Sequence, residues 1–516
     1  MKLTITLLLS ILTVGISHAG VFDSEDLNQA YTYLNQVRVR AGMTEFSQNP
    51  QLETAAFNHA NYLADNFLTG HYESEDMPGF TGVRLKERTT FTGYHSLLVS
   101  ENISYYNYGE SSIDSINALM SGIYHRFTFL DFIKNEVGIG IASMSAHSAY
   151  VYNIGNSEYN ALCQGSSFSG SGTIYFNVCE PNINIKGSDF ENVAIMGNNP
   201  NIVLWPADGD NDVPPAFFEE RPDPLPDYSV SGYPISIQFN PLNFTEAVNV
   251  TEFKLYQDNR EIQKTRLLTE STDPNERFSA LQYVLFPLER LEWDTAYRVE
   301  AKYSETETLK WHFKTKSLGV PLFTVQGKGE VIEISPNTSA FAVYVPPTSD
   351  LPDLGKINYS FYAGMTLDMT FEDSNTLRIN NLSGNVGQEV FFSLSGGRNF
   401  VVKINSVDSC ELATLSSDFK LHIPYLVYSP SPSENPLVFQ ADLALMGENL
   451  LFKVSDYSLK NKAENCESAT LSSDFKLHIP NLVYRPSPAE LPIVLWADFE
   501  LFGEDLQFHV TKYGFK

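Results

Sequence analysis

Apolar residues recur at three- and four-residue steps only near the start of the chain. Leu27, Ala30, Tyr31, Leu34 and Val37 form one stripe, and Leu52, Ala55, Ala56, His59 and Leu63 form a second. The second follows Asn49-Pro50, a capping residue and then a proline whose missing N–H has no partner to lose in a first turn. Ile113, Ile116, Met120, Ile123 and Phe127 predict a third helix. From Val137 the period drops to two, so that Gly138-Ile139-Gly140-Ile141, residues 150–154 and residues 173–178 predict strands. Residues 20–181 thus predict an α+β unit, helices first and a sheet last.

Beyond it the helical period does not return. Residues 182–234 contain a proline-rich acidic stretch and predict a linker, and 235–316 carries short strand patterns at the spacing of an immunoglobulin-like domain. A further β-rich domain is predicted over 317–405. The C-terminus is a duplication: the fifteen residues from Cys410 to Pro424 recur from Cys466 to Pro480 with one change, Leu412 to Ser468. The copies, 406–460 and 461–516, are each predicted to run from a strand through a proline loop into a hairpin, with Gly503-Glu504 as the turn of the second. His422 and His478 alternate with apolar neighbours and are expected to be solvent-facing strand residues. Two such copies point to a binding or spacing module more than to a catalytic one.

The chain has 516 residues, which at roughly 150 per domain gives three or four domains. With 43% hydrophobic and only 19% charged residues it is a folded chain and not an acidic tail. Its 62 acidic against 34 basic side chains, a net charge of −28, exclude a phosphate-tracking nucleic-acid binder and polybasic docking on anionic lipid. Lys2, an apolar run over 3–16 and Ser17-His18-Ala19 predict a signal peptide over 1–19, cleaved after Ala19, and hence secretion to an extracellular or periplasmic space. That run is too short to span a bilayer, and no later segment reads as a transmembrane span. Cys163 and Cys179 bracket a Gly/Ser-rich loop and are predicted to form a disulfide. Cys410 and Cys466, at equivalent points of the duplication, either pair across it or stay single.

Chemistry, if present, belongs to the α+β unit. His59 falls on an apolar stripe and is expected to be a core histidine satisfied by a hydrogen bond. His71 and His125 stand at helix ends, and Glu101 is placed so that its carboxylate could share their space. Two imidazoles and a carboxylate are a minimal donor set for Zn²⁺ or another divalent metal, with Glu101 the candidate catalytic base.

The segments Asn35-x-x-Arg38, Gly70-His71-Tyr72-Glu73, Glu101-Asn102-Ile103, Tyr124-His125-Arg126 and Asn135-Glu136-Val137-Gly138-Ile139-Gly140 stand in the order and spacing of the CAP superfamily. This is the group of cysteine-rich secretory, antigen 5 and pathogenesis-related 1 proteins, whose domain is also called SCP, and the chain resembles its bacterial branch over about residues 25–180. The resemblance implies an α-β-α sandwich with a central cavity lined here by His71, Glu101 and His125. The fourth cavity position, a second glutamate on the helix before the second histidine, has no counterpart. Residues 116–122 contain no acid, Glu110 lies too far back, and Glu136 belongs to the next strand.

The whole reads as a multidomain protein, a CAP-like α+β domain followed by all-β immunoglobulin-like and tandem β-repeat modules. Its expected function is extracellular binding of a lipid, glycan or protein ligand, with a divalent metal possible in the cavity. An envelope or matrix adhesin and a metal-dependent hydrolase are the alternatives, and the missing second carboxylate counts against the hydrolase. A second metal candidate is Asp208, Asp210, Asp212 and Glu219, which match part of a Ca²⁺-binding EF-hand loop. Val213 stands where that loop needs glycine and no helical pattern flanks it, so an acidic solvated turn is the favoured reading.

Overall fold

The computed structural model describes residues 24–106, 111–145, 147–195, 198–335, 338, 340–348, 350–405, 413–416, 420–428, 437–446, 451–459, 469–472, 474–484, 493–502 and 507–515. The expected signal peptide, Cys410, Cys466 and the Gly503-Glu504 turn lie outside them. Residues up to Gly319 form one compact unit and those from Val320 a second.

The first unit begins with α1 (Ser24–Arg40), β1 (Ser47–Gln48) and α2 (Pro50–Asn66). Asn49 caps α2, its side chain accepting from the amides of Gln51 and Leu52. Then come α3 (Leu85–Phe91), β2 (Ser100–Tyr106), α4 (Ser112–Ser121), α5 (Ile123–Phe129), β3 (Glu136–Met144) and β4 (His147–Gly155). The four strands make a mixed sheet in the order β1-β3-β4-β2. The Gly-Ile alternation of β3 has a physical reason. Ile139 and Ile141 are buried, whereas a Cβ at Gly138 would fall 2.0 Å from the Glu53 amide nitrogen and one at Gly140 would fall 2.2 Å from the Ala56 carbonyl carbon. Only glycine lets the backbone of α2 lie this close on the sheet.

Two expected elements differ. The third helical pattern is broken at Gly122, which closes α4 and opens α5 with extended backbone angles of −72° and 132°. The strand predicted over 173–178 is only Ile174–Tyr175. Cys163 and Cys179 are joined as predicted, closing a loop of 16 residues, a length that contributes about 3 kcal/mol by restricting the unfolded chain.

The segment 182–234 is not a linker. It holds a helix, Gly187–Ile195, and two strands of the next domain. Ile202–Trp205 is the edge of a sheet with Ile235–Phe239, Gln282–Pro287 and Thr265–Leu268, and Asp210–Val213 pairs parallel with Thr308–Thr315 in the facing five-stranded sheet. Trp311, fully buried at the centre of this sandwich, donates its indole N–H to the Pro206 carbonyl at 3.1 Å. One apolar cluster runs from Tyr31, Leu34 and Met120 of the helices through Trp205, Val213 and Tyr233 to Ile235 and Trp311, so the α+β domain and the sandwich share a core.

In the second unit, residues 322–404 form a sandwich of two four-stranded sheets around Phe341, Leu377 and Phe392. The two repeats are not separate modules. Their strands build one eight-stranded sheet that closes on itself. Ala413–Leu415 pairs antiparallel with its own copy at Leu421 and His422 and parallel with residues 482–484 of the other, and Ala469–Leu471 reciprocates. Phe452 and Phe499, one from each copy, pack edge to face inside at 5.7 Å. His422 and His478 are half-exposed strand residues, each with Nδ1 2.5 Å from an aspartate on the neighbouring strand, Asp442 and Asp498.

Gly140→Ala is expected to destabilise the first unit by about 3 kcal/mol or more, because the added methyl meets backbone that cannot move aside. Thermal unfolding of the full chain measures it, and a variant melting with the wild type would contradict the close packing of α2 on β3.

Candidate functional site

The first residues of β2 organise the site. Glu101 and Asn102 are consecutive on a strand, so their side chains leave on opposite faces. On one face the Glu101 carboxylate, 2% exposed, lies 2.9 Å from His71 Nδ1 and accepts from Arg88 Nη2 at 2.8 and 2.7 Å. Arg88 is fully buried on α3 and also donates through Nη1 to the His71 carbonyl at 2.9 Å, fixing both the ring and the backbone of that residue. The Asn153 amide, oriented so that both its ends are satisfied, donates to Glu101 Oε2 and accepts from the Ala56 amide, each at 3.0 Å. Tyr105 closes this side, its hydroxyl accepting from the Gly70 amide at 2.7 Å.

Behind it lies a second buried pair that sequence patterning did not link. His59 is a satisfied core histidine, as expected: Nδ1 is 2.8 Å from Glu73 Oε1 and Nε2 is 3.2 Å from the Gly70 carbonyl. With an acceptor at each ring nitrogen, both hydrogen bonds form only when both nitrogens carry protons. Glu73 also accepts from the Thr81 amide at 2.6 Å and lies 3.8 Å from Arg88 Nε. Burial pushes the carboxyls of Glu73 and Glu101 up. The hydrogen bond from the partner histidine and the positive charges of the histidines and Arg88 outweigh it, and both end below the usual carboxylate range.

On the other face Asn102 donates to the His125 carbonyl at 2.9 Å. The His125 ring meets a carboxylate that the sequence did not offer, Glu220, whose Oε1 is 2.5 Å from Nδ1. Glu220 is 6% exposed and comes from the segment leading into the sandwich. It also accepts from the first amides of α5, those of Ile123 at 2.7 Å, Tyr124 at 3.0 Å and His125 at 3.0 Å. The break at Gly122 makes this possible, since it frees those N–H groups, and a Cβ at 122 would fall 2.8 Å from Glu220 Cδ. Residues 116–122 offer no acid, and the carboxylate that meets His125 is that of Glu220. Gly122, an unexplained break in a helical stripe, was the available signal.

The structure brings His71 to Glu101 and His125 to Glu220. It does not gather His71, Glu101 and His125 around one point. Among the described residues no group of three or more His, Cys, Asp or Glu side chains is arranged to hold a metal ion. The donor chemistry agrees: both oxygens of Glu101 are taken by Arg88, and those of Glu220 by three amides and an imidazole, so neither carboxylate fits a metal cage as placed. Nor are Asp208, Asp210, Asp212 and Glu219 gathered into a loop. Asp208 and Glu219 are exposed, Asp210 begins a strand with Arg40 Nε at 3.8 Å, and Glu219 precedes the buried Glu220.

Residues 31–155 match the family model described as the cysteine-rich secretory protein family, CAP. No curated protein matches the chain. Among solved structures, an outer surface protein of Borrelia burgdorferi is 16% identical over 27% of this chain and 96% of its own, with a TM-score of 0.23. An extracellular protein containing an SCP domain from Bacillus anthracis is 18% identical over 27% of this chain, with a TM-score of 0.22, and the match spans 45% of that protein. The N-terminal Ig1-2 module of the Drosophila receptor protein tyrosine phosphatase DLAR is 9% identical over 40% of this chain and 100% of its own, with a TM-score of 0.14.

Glu101→Gln, which leaves the buried Arg88 without its carboxylate, is expected to cost about 3–5 kcal/mol at neutral pH. Because the folded carboxyl sits below its unfolded value, this stabilisation is full above the unfolded value and is lost as pH falls through the lower, folded one. The gap between wild type and variant in urea unfolding should therefore narrow below about pH 4; a constant gap from pH 7 to pH 3 would refute the ion pair. Gly122→Ala should destabilise the same unit by about 1–3 kcal/mol by displacing Glu220, read from the same titration.

Proposed function

Residues 31–155 are a CAP domain of the cysteine-rich secretory protein family, and from that premise we propose that the chain is an exported binding protein that recognises an extracellular lipid, glycan or peptide on the surface around His71. The observation that carries this reading is the state of the two carboxylates. A general base needs proton affinity near the working pH. Glu101 instead lies below the ordinary carboxylate range against Arg88 and His71, and Glu220 is consumed by helix amides. These groups hold His71 and His125 in place. The His71 ring is 47% exposed, and Tyr72 beside it is 68% exposed, with Phe67 at 61% ahead of the same loop, an aromatic and imidazole surface suited to contact. The disulfide supports export to an oxidising compartment, and the apolar run over 3–16 supports a signal peptide.

The test uses the full chain on lipid vesicles, glycan arrays and peptide libraries. Tyr72→Ala and His71→Ala, checked for unchanged melting, should each weaken the strongest hit at least about tenfold, the scale of one lost hot-spot contact. The reading fails if both variants bind like wild type. It also fails if wild type with Zn²⁺, Mg²⁺ or Ca²⁺ hydrolyses ester or peptide panels and Glu101→Gln abolishes that turnover.

A further inference from the structure

A pocket of about 230 Å³ lies between α1 and α4 on one side and the strand Asp210–Val213 of the sandwich on the other. Its floor has no polar group to spare. Met120, Trp205 and Tyr233 are buried there, and the Trp205 indole N–H donates to the Tyr233 hydroxyl at 2.9 Å, which donates in turn to the Met120 carbonyl at 3.1 Å. The wall is polar. Arg40, the last residue of α1, holds its guanidinium 5.2 Å from the centre of the Trp205 ring, and Asn117 of α4 accepts from the Tyr33 hydroxyl at 2.6 Å through Oδ1, which leaves its amide N–H groups to donate. Asp210 is the exceptional member of that wall. Its side chain is 9% exposed, a position in which a carboxylate needs hydrogen bonds to replace those of water. Oδ2 has one, from the Ala207 amide at 2.9 Å. Oδ1 has none among the described residues, because Arg40 Nε stands 3.8 Å away, beyond hydrogen-bonding distance. Nor is that oxygen sealed off, and the residue lines the pocket.

We propose that this pocket binds a single pyranose sugar, a neutral ring bearing hydroxyls, with one hydroxyl set between Arg40 and Asp210, accepting from the guanidinium and donating to Oδ1. Charge selects such a ligand. An anion drawn to Arg40 would meet Asp210 at close range and a cation drawn to Asp210 would meet Arg40, whereas a hydroxyl is donor and acceptor at once and satisfies both. The mixture continues around the rim, where Lys316 stands with Asp114 and Asp212, and the Asn117 amide offers a donor to a second hydroxyl. The size fits as well: a cavity of ~150 Å³ holds benzene, so this one has room for one six-membered ring with its hydroxyls. The site shares no residue with the His71 and His125 pairs, so it stands or falls apart from the function proposed for them.

The experiment titrates the full chain with the methyl α-pyranosides of glucose, galactose and mannose and reads the Met120 methyl and Trp205 indole N–H resonances. At least one pyranoside should shift both saturably, with a dissociation constant of about 10 mM or tighter. Tetrahydropyran, the ring without hydroxyls, and serine, which carries one charge of each sign, should shift neither. Asp210→Asn keeps the shape and an acceptor for the Ala207 amide; with melting unchanged, it should weaken binding at least about tenfold, the value of a hydrogen bond to a charged group. Arg40→Gln, at the exposed end of α1, should do the same. The proposal is overturned if none of the three pyranosides gives a saturable shift in that range, if tetrahydropyran or serine binds as tightly as the best of them, or if folded Asp210→Asn binds like wild type. The first two results depend on no variant.

Discussion

Beside the shared apolar core, a buried carboxylate joins the α+β domain to the sandwich. Glu220 lies in the chain between two domains, yet it points back into the first, where three amides at the start of α5 and the His125 ring converge on it. An anion at that end of a helix is favoured by the aligned peptide dipoles, and burial strengthens the attraction. Because the group that completes the His125 side arrives from downstream, the neighbouring contacts form in company with it. Tyr124 meets Asp273, Arg126 reaches the Pro234 carbonyl and Ser236, and Phe127 packs edge to face on Phe278 at 5.3 Å. The strand Ile202–Trp205 then has no freedom to act as a tether, since the sheet it edges is itself pressed on the helices.

Two clusters divide the chemistry. Arg88 is the hub of one, a buried cation against two carboxylates and a carbonyl, and α5 with Glu220 is the hub of the other. In both, the histidine is the most exposed member of its ion pair. Such an arrangement gives a surface of fixed shape and charge. The Glu101 carboxyl in particular is held below the usual carboxylate range by its hydrogen bond with His71 and the charge of Arg88.

Much of this was legible in local pattern. The stripes of α1 and α2 and the Gly-Ile alternation of β3 are periodicities of a few residues, and periodicity is set by which face meets the core. His71, Glu101 and His125 stand out by their short motifs, and the Cys163–Cys179 bridge by its loop. Glu220 was not legible, because its partner is 95 positions away and no spacing links them. Its neighbour Glu219 drew attention only through an accidental match to a cation-binding loop. The strands 202–205 and 210–213 were hidden by the prolines and acids around them, which resemble a tether until a sheet edge is there to receive them.

The closure of the C-terminal sheet bears on how it assembles. Each copy lends its short strand, Ala413–Leu415 or Ala469–Leu471, to the other, and the swap is reciprocal, the hallmark of a two-fold association between identical partners. Here the partners are one chain. Joining them converts an encounter that would depend on dilution into an internal one, at an effective concentration in the millimolar range for a short connection. At any dilution the chain thereby carries its own dimer with it.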